Sequence, residues 1–233
     1  VKLVVFDLDG TLLDTNAIDS QCFIQAWREV GIDCAAADWS SFEHVTDAGI
    51  ADELLQRAGV ANRNETLQRV RMRFFELLEE AAAHSPNAFS AIRGAPELLS
   101  RLSAAGWAAV IATGAWAASA AVKIHAASLP PLPLASSDDH PSRQRIVERA
   151  MALATERSGG VSPARVVLVG DAPWDLEVAR KLDLPFVGIA RSAQRDALIA
   201  RGATHVLQDF VPFETAVAAL ESAECVRPCM VPE

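Results

Sequence analysis

Five short, almost wholly apolar runs punctuate the chain, at residues 2–6, 107–112, 165–169, 186–190 and 205–207, with a weaker one at 132–135. Runs of this length without polar alternation are the form taken by strands covered on both faces. Between them, apolar positions recur at helical spacing over 96–105, 117–127, 143–155, 173–182, 193–201 and 213–222. Strand and helix alternating in this way predict an α/β fold, a doubly wound parallel sheet wrapped by helices on both sides.

One stretch breaks the alternation. Residues 15–93 hold no convincing strand but carry three amphipathic helical segments, at 17–30, 47–58 and 65–83. Their apolar positions, among them Phe23, Trp27, Leu54, Val70, Phe74 and Leu78, fall at helical intervals. The pattern predicts an α/β core made of residues 1–14 and 94–233, interrupted by a helical cap at 15–93. The cap would leave the core just after the first strand and return at the turn Gly94-Ala95-Pro96. Ligands of open α/β sheets sit beyond the carboxyl ends of the strands, so an insert rooted there would roof the site.

Composition narrows the partners. At 233 residues with 51% hydrophobic and 22% charged side chains, the chain can bury a substantial core. A formal net charge of -9 and the lack of a basic run argue against nucleic acid, whose binders present a cationic surface. No segment approaches the roughly 18 apolar residues of a membrane helix. The first strand begins at once, which leaves no room for a leader, so the expectation is a soluble, cytoplasmic protein. Cys22, Cys34, Cys225 and Cys229 have neither metal-finger spacing nor disulfide-scaffold density, and reduced thiols are expected. The closing ECVRPCMVPE, with its two prolines, reads as a loose tail. Oligomeric state has no signature in the sequence.

Candidate chemistry lies at the strand ends. The first strand runs into Asp7 and Asp9 and stops at Gly10. Alternate strand residues share a face, so the two carboxylates would stand about 7 Å apart. Such a pair repels unless a proton or cation lies between, which points to a reacting centre. The second core strand ends in Thr113-Gly114 ahead of a helix, offering a hydroxyl, backbone donors and a helix amino terminus to an anion. The third ends in Gly170-Asp171, with Asp175 one helical turn on. Adjacent parallel strands would gather Asp7, Asp9 and Asp171, and an all-oxygen acidic set suits Mg2+.

A cationic partner comes from the helix opened by Pro141-Ser142-Arg143. Arg143 lies three and four residues before Ile146 and Val147, which places it on the buried face, while Arg145 and Arg149 point outward. An inward Arg is costly unless paired, and near the carboxylates it would hold Asp7 ionised and meet an incoming phosphate. Within the insert, Glu43-His44-Val45-Thr46-Asp47 could dip towards the site, with His44 a candidate substrate contact. The plainer reading, and the favoured one, is that Thr46 or Asp47 is a helix amino-terminal cap and His44 a surface residue.

The order DLDGT, ATG at a strand end, a basic residue opening a helix, then GDAPWD resembles the haloacid dehalogenase-like hydrolase superfamily, in the branch with a helical cap after the first motif. The likeness extends to about residue 210. It implies Asp7 as a nucleophile that forms an aspartyl-phosphate, and Asp9 as general acid and base. Thr113, Gly114 and Arg143 would hold the phosphoryl group. Asp7, the Asp9 backbone carbonyl and Asp171 would bind Mg2+, with Asp175 in support. Many relatives carry Lys in the third motif, whereas Lys2, Lys123 and Lys181 stand in positions ill-suited to it, so Arg143 substitutes.

The likeness also implies exclusions. Relatives that cleave carbon–phosphorus bonds use a cap Lys, and residues 15–93 contain none. Relatives that remove halide lack the second acid, and Asp9 is present. The expected activity is therefore Mg2+-dependent hydrolysis of a small phosphorylated metabolite. A sugar phosphomutase, or a non-catalytic binding protein on the same scaffold, are the alternatives.

Overall fold

The computed structural model describes residues 1–226. Its main sheet has six parallel strands: β1 (Lys2–Phe6), β4 (Trp107–Ala112), β5 (Leu134–Ala135), β6 (Arg165–Gly170), β7 (Phe186–Ile189) and β8 (His205–Leu207). Their order across the sheet is β5-β4-β1-β6-β7-β8, which puts β1 at the centre. The chain reverses direction across the sheet between β4 and β6, on either side of β1. That is the position where open α/β sheets present their ligand crevice.

Side chains leave β1 alternately. Val4 and Phe6 enter an apolar cluster with Leu98 of α4 (Ala95–Arg101), Leu102 just past its end and Leu220 of α9 (Phe213–Ser222). Leu3 and Val5 enter the opposite cluster with Ile146 and Ala150 of α6 (Arg143–Arg157), Leu176 of α7 (Pro173–Lys181) and Leu198 of α8 (Ser192–Ala200). Both faces are buried, which is why the strands read as unbroken apolar runs.

A third cluster belongs mainly to the insert. Helices α1 (Asn16–Glu29), α2 (Asp47–Arg57) and α3 (Arg63–His84) bury Phe23, Trp27, Leu54, Val70, Phe74 and Leu78 together. Phe23 meets Phe74 edge-on at 5.5 Å and Trp116 at 6.1 Å. Trp116 precedes α5 (Ala117–Ala126), so this core helix carries the aromatic seam between the insert and the sheet.

Two features depart from the sequence reading. The stretch expected to lack strands contributes one, since β2 (Leu13–Asp14) pairs antiparallel with β3 (Ser90–Ala91) where the chain leaves and re-enters the core. Two residues per strand are too few for periodicity to register. The start of the expected tail is also ordered: Cys225 bridges Pro185, and Val226 is buried in the second cluster. The rest of it, including Cys229, lies outside the described residues. Among the described residues, no helix is long and apolar enough to cross a membrane.

Candidate active site

The strand register brings the acids together. Phe6 stands level with Ile111 on one side and Val169 on the other, so Asp7, Ala112 and Gly170 form the next row. Asp171 and Thr113 then follow one step beyond. The Asp7 amide continues the ladder, donating to the Val169 carbonyl at 2.9 Å.

Backbone shape permits the crowding. Gly10 sits at φ +84°, and a Cβ there would lie 2.1 Å from Asp171 Oδ2 and 2.5 Å from Asn16 Nδ2. Only glycine lets the loop after β1 pass this close to a carboxylate. A Cβ at Gly170 would lie 2.5 Å from that of Asp175, and one at Gly114 2.7 Å from Arg143 Nη2. Each motif glycine thus makes room for a charged neighbour.

Carboxylate oxygens of Asp7, Asp171 and Asp175 all fall within 4.8 Å of one another, and all three residues are buried. Arg143 Nη1 donates to Asp7 Oδ1 at 3.0 Å and to Asp175 Oδ1 at 2.9 Å. Asp175 Oδ2 also accepts from the Ala172 amide at 3.2 Å, so the residue both opens α7 and braces Arg143. Asp171 is held from two sides, by Gln194 Nε2 at 2.9 Å and Asn16 Nδ2 at 3.3 Å.

Burial is the first cause of the charge state here. It raises the carboxyls of Asp7, Asp171 and Asp175 above their ordinary range, and Asp175 adds repulsion at the other two. Asp171 is pushed up to about 7. Arg143 opposes the rise at all three, yet one cation does not balance three close acids. Burial works against the Arg143 charge, but the carboxylates of Asp175 and Asp7 more than offset it. A divalent cation among these oxygens would relieve the excess, and the donor set is the hard, all-oxygen kind that Mg2+ takes.

Above the acids lies a cavity of about 330 Å³, lined from the core by Asp7, Asp9, Thr113, Gly114, Arg143 and Asp171. The insert closes the other side with Phe23, Trp39, Val45, Thr46, Asp47 and Ile50. The insert loop is fastened to the core. Val45 O accepts from Arg143 Nη2 at 3.2 Å, Thr46 Oγ1 donates to Pro141 O at 2.7 Å, and the Asp47 amide donates to Gly114 O at 2.8 Å. Asp47 Oδ2 in turn accepts from the Trp116 amide at 2.9 Å. Thr46 is also the cap of α2, accepting from the Gly49 amide. Asp175 lies behind the cavity, and His44 is not among its lining residues although its three successors are.

Several neighbours escaped the sequence reading. Asn16 and Gln194 touch Asp171 from a cap helix and from α8. Thr15 Oγ1 donates to Asp9 Oδ1 at 2.5 Å. Lys123, fully buried on α5, bonds Asp9 Oδ2 at 2.6 Å and Asp19 Oδ1 at 2.7 Å. Burial alone would lower its pKa, but Asp19, Asp9 and Asp47 together hold it above the ordinary lysine value. One sign was available: Lys123 stands in AASAAVKIHA, which offers no acid of its own to pair with.

Fold and site together define a doubly wound α/β protein with a buried acidic cluster at the crossover of its sheet and helices over it. The model for the haloacid dehalogenase-like hydrolases matches residues 4–189, and the chain belongs to that family. No curated protein matches the sequence. Solved structures do match over nearly full length. A hydrolase from Pseudomonas syringae superposes with a TM-score of 0.70 at 22% identity, covering 92% of this chain and 97% of its own. CbbY from Rhodobacter sphaeroides, in complex with phosphate, gives 0.71 at 18%, covering 94% and 98%. A β-phosphoglucomutase from Clostridium difficile gives 0.70 at 13%, covering 95% and 97%. At these identities the likeness shows the fold.

Proposed function

We propose that this protein is a Mg2+-dependent phosphatase that hydrolyses a small phosphomonoester through a phosphorylated Asp7. The observation that carries the reading is the buried Asp7 carboxylate, tethered to Arg143 at 3.0 Å and lining a cavity that Asp9 also lines. Phosphate bound to CbbY and the hydrolase and phosphomutase neighbours support a phosphorylated substrate.

In the first displacement an Asp7 oxygen forms a bond to phosphorus as the ester P–O bond breaks, and Asp9 gives its proton to the departing alcohol. Thr113 Oγ1 accepts from the Ala115 amide at 3.1 Å, which leaves its hydroxyl proton for a phosphoryl oxygen. Arg143 supplies the positive charge. In the second displacement Asp9 takes a proton from water, the water oxygen bonds phosphorus, and the Asp7 carboxylate is released. Asp7, the Asp9 carbonyl and Asp171 would hold Mg2+, which supplies positive charge to offset that of the transferring group. The loop fastened through Val45, Thr46 and Asp47 covers one side of the cavity, and closure over a bound substrate would exclude bulk water during the first step. A volume of about 330 Å³ suits an ester of sugar-phosphate size.

The test is a phosphate-release screen across sugar, glycolate and nucleotide monoesters, with and without Mg2+. Release that needs Mg2+ and vanishes in Asp7→Asn, with the fold retained by circular dichroism, is the expected result. Interconversion of a hexose phosphate without release would make the protein a mutase. Silence across the whole panel would leave a binding protein on this scaffold.

A further inference from the structure

Lys123 has no place in the mechanism above, yet it is fully buried and its ammonium touches Asp9. It stands two turns into α5, the helix that starts just past Thr113 and Gly114. Helical side chains lean towards the amino terminus of their helix, so from this position the long stem reaches back to the strand ends. There it meets Asp9 Oδ2 at 2.6 Å and Asp19 Oδ1 of cap helix α1 at 2.7 Å. Thr15 takes the other Asp9 oxygen at 2.5 Å. Both oxygens of one carboxyl are therefore restrained, by a core helix and by the loop entering the cap. Lys123 thus bonds Asp9 and Asp19, and the largely buried Arg143 bonds Asp7 and Asp175.

Stability alone gives little reason for this arrangement. A buried ion pair contributes no more, on balance, than a well-packed apolar side chain of similar length. Orientation does give a reason, because proton transfer needs its carboxyl within hydrogen-bond reach of the reacting oxygen. Small misplacements are costly to rate.

We propose that Lys123 is a positioning residue for Asp9, fixing the carboxyl that exchanges protons with the leaving alcohol, and that through Asp19 it ties that setting to the cap. This rests on the phosphatase reading of Asp9. The experiment compares Lys123→Met and Lys123→Gln with wild type on p-nitrophenyl phosphate and on the best alkyl monoester from the screen. The readout is kcat/KM, which covers steps only up to departure of the alcohol. Nitrophenolate leaves without a proton and an alkoxide does not. The expected result is at least a tenfold greater loss on the alkyl ester than on the aryl ester for Lys123→Met, with a smaller preference for Lys123→Gln, whose amide can still donate. An equal loss on both esters in folded protein would reduce Lys123 to a brace and overturn the proposal. So would no loss on either, or a failure of both variants to fold. A wild type inert towards both esters would instead refute the phosphatase reading, and this inference with it.

Discussion

Replacing Arg143 by methionine removes a cation that two buried acids share. Its Nη1 bonds Asp7 and Asp175, while Nε and Nη2 bond the Val45 carbonyl at 3.3 and 3.2 Å. Breaking a buried pair by deleting one partner costs about 3–5 kcal/mol, because the remaining charge is left uncompensated. For a chain of this size that corresponds to a fall in Tm of roughly 6–20 °C. The acids can relieve the loss by taking up protons. Their folded pKa values, already raised by burial, rise further without Arg143, so the folded state binds more protons than the unfolded chain and stability falls as pH increases. The deficit should be larger at pH 8 than at pH 5.5, and Mg2+ should recover part of it. Lysine at 143 keeps the charge near Asp7 and Asp175 but lacks the fork that reaches Val45, so its deficit should be about half as large. Melting followed by circular dichroism at both pH values, with and without Mg2+, gives these differences. Phosphate release should drop roughly 10²–10³-fold in Arg143→Met, the usual cost of deleting a donor to the transition state. A methionine variant melting within 2–3 °C of wild type at pH 8, roughly under 1 kcal/mol, would refute the placement of Arg143 between the acids.

Other expectations follow from the same geometry. Gly10→Ala puts a methyl 2.1 Å from Asp171 Oδ2 at a positive φ, so it should cost about 1–2 kcal/mol of backbone strain and displace Asp171. Calorimetric titration should show weakened Mg2+ binding, and unaltered binding would mean the loop does not approach as described. Asp171→Asn should weaken Mg2+ binding about tenfold or more while raising the Tm of metal-free protein at pH 8, since it removes a carboxyl that titrates near 7. A lower metal-free Tm would contradict that. Asp47 is pushed up to about 8, first by burial and then by Asp19. Its folded pKa is raised, so its stability contribution is complete below about pH 4 and is lost as pH climbs to about 8. Asp47→Asn should therefore match wild type near pH 4 and melt higher at pH 9, because the amide oxygen can still accept from Trp116. Parallel melting curves across that range would sink the assignment.

The sequence by itself determined the strands of the main sheet, the α-helices and their order. Strands buried on both faces must be apolar throughout, and helices lying on them must show a stripe, so periodicity was enough to place the main sheet and the helices α1, α2 and α3. It also placed Asp7, Asp9, Thr113, Gly114, Arg143 and Asp171 on strand ends or a helix start, where the fold gathers them around one cavity. Asp175 was legible as the start of α7, but its bond to Arg143 was not. Tertiary structure alone decided what depends on side-chain direction and on distances between segments far apart in the chain. Lys123 reaching 114 residues back to Asp9, Gln194 reaching Asp171 across 23 residues, and the latch from Thr46 to Pro141 are of this kind. The physical reason is that periodicity reports which face of an element is buried, whereas a polar contact depends on which two faces meet and at what height. His44 shows the same limit: its loop lies on the core through Val45, Thr46 and Asp47, and only the path of the backbone decided which side chains of that loop line the cavity.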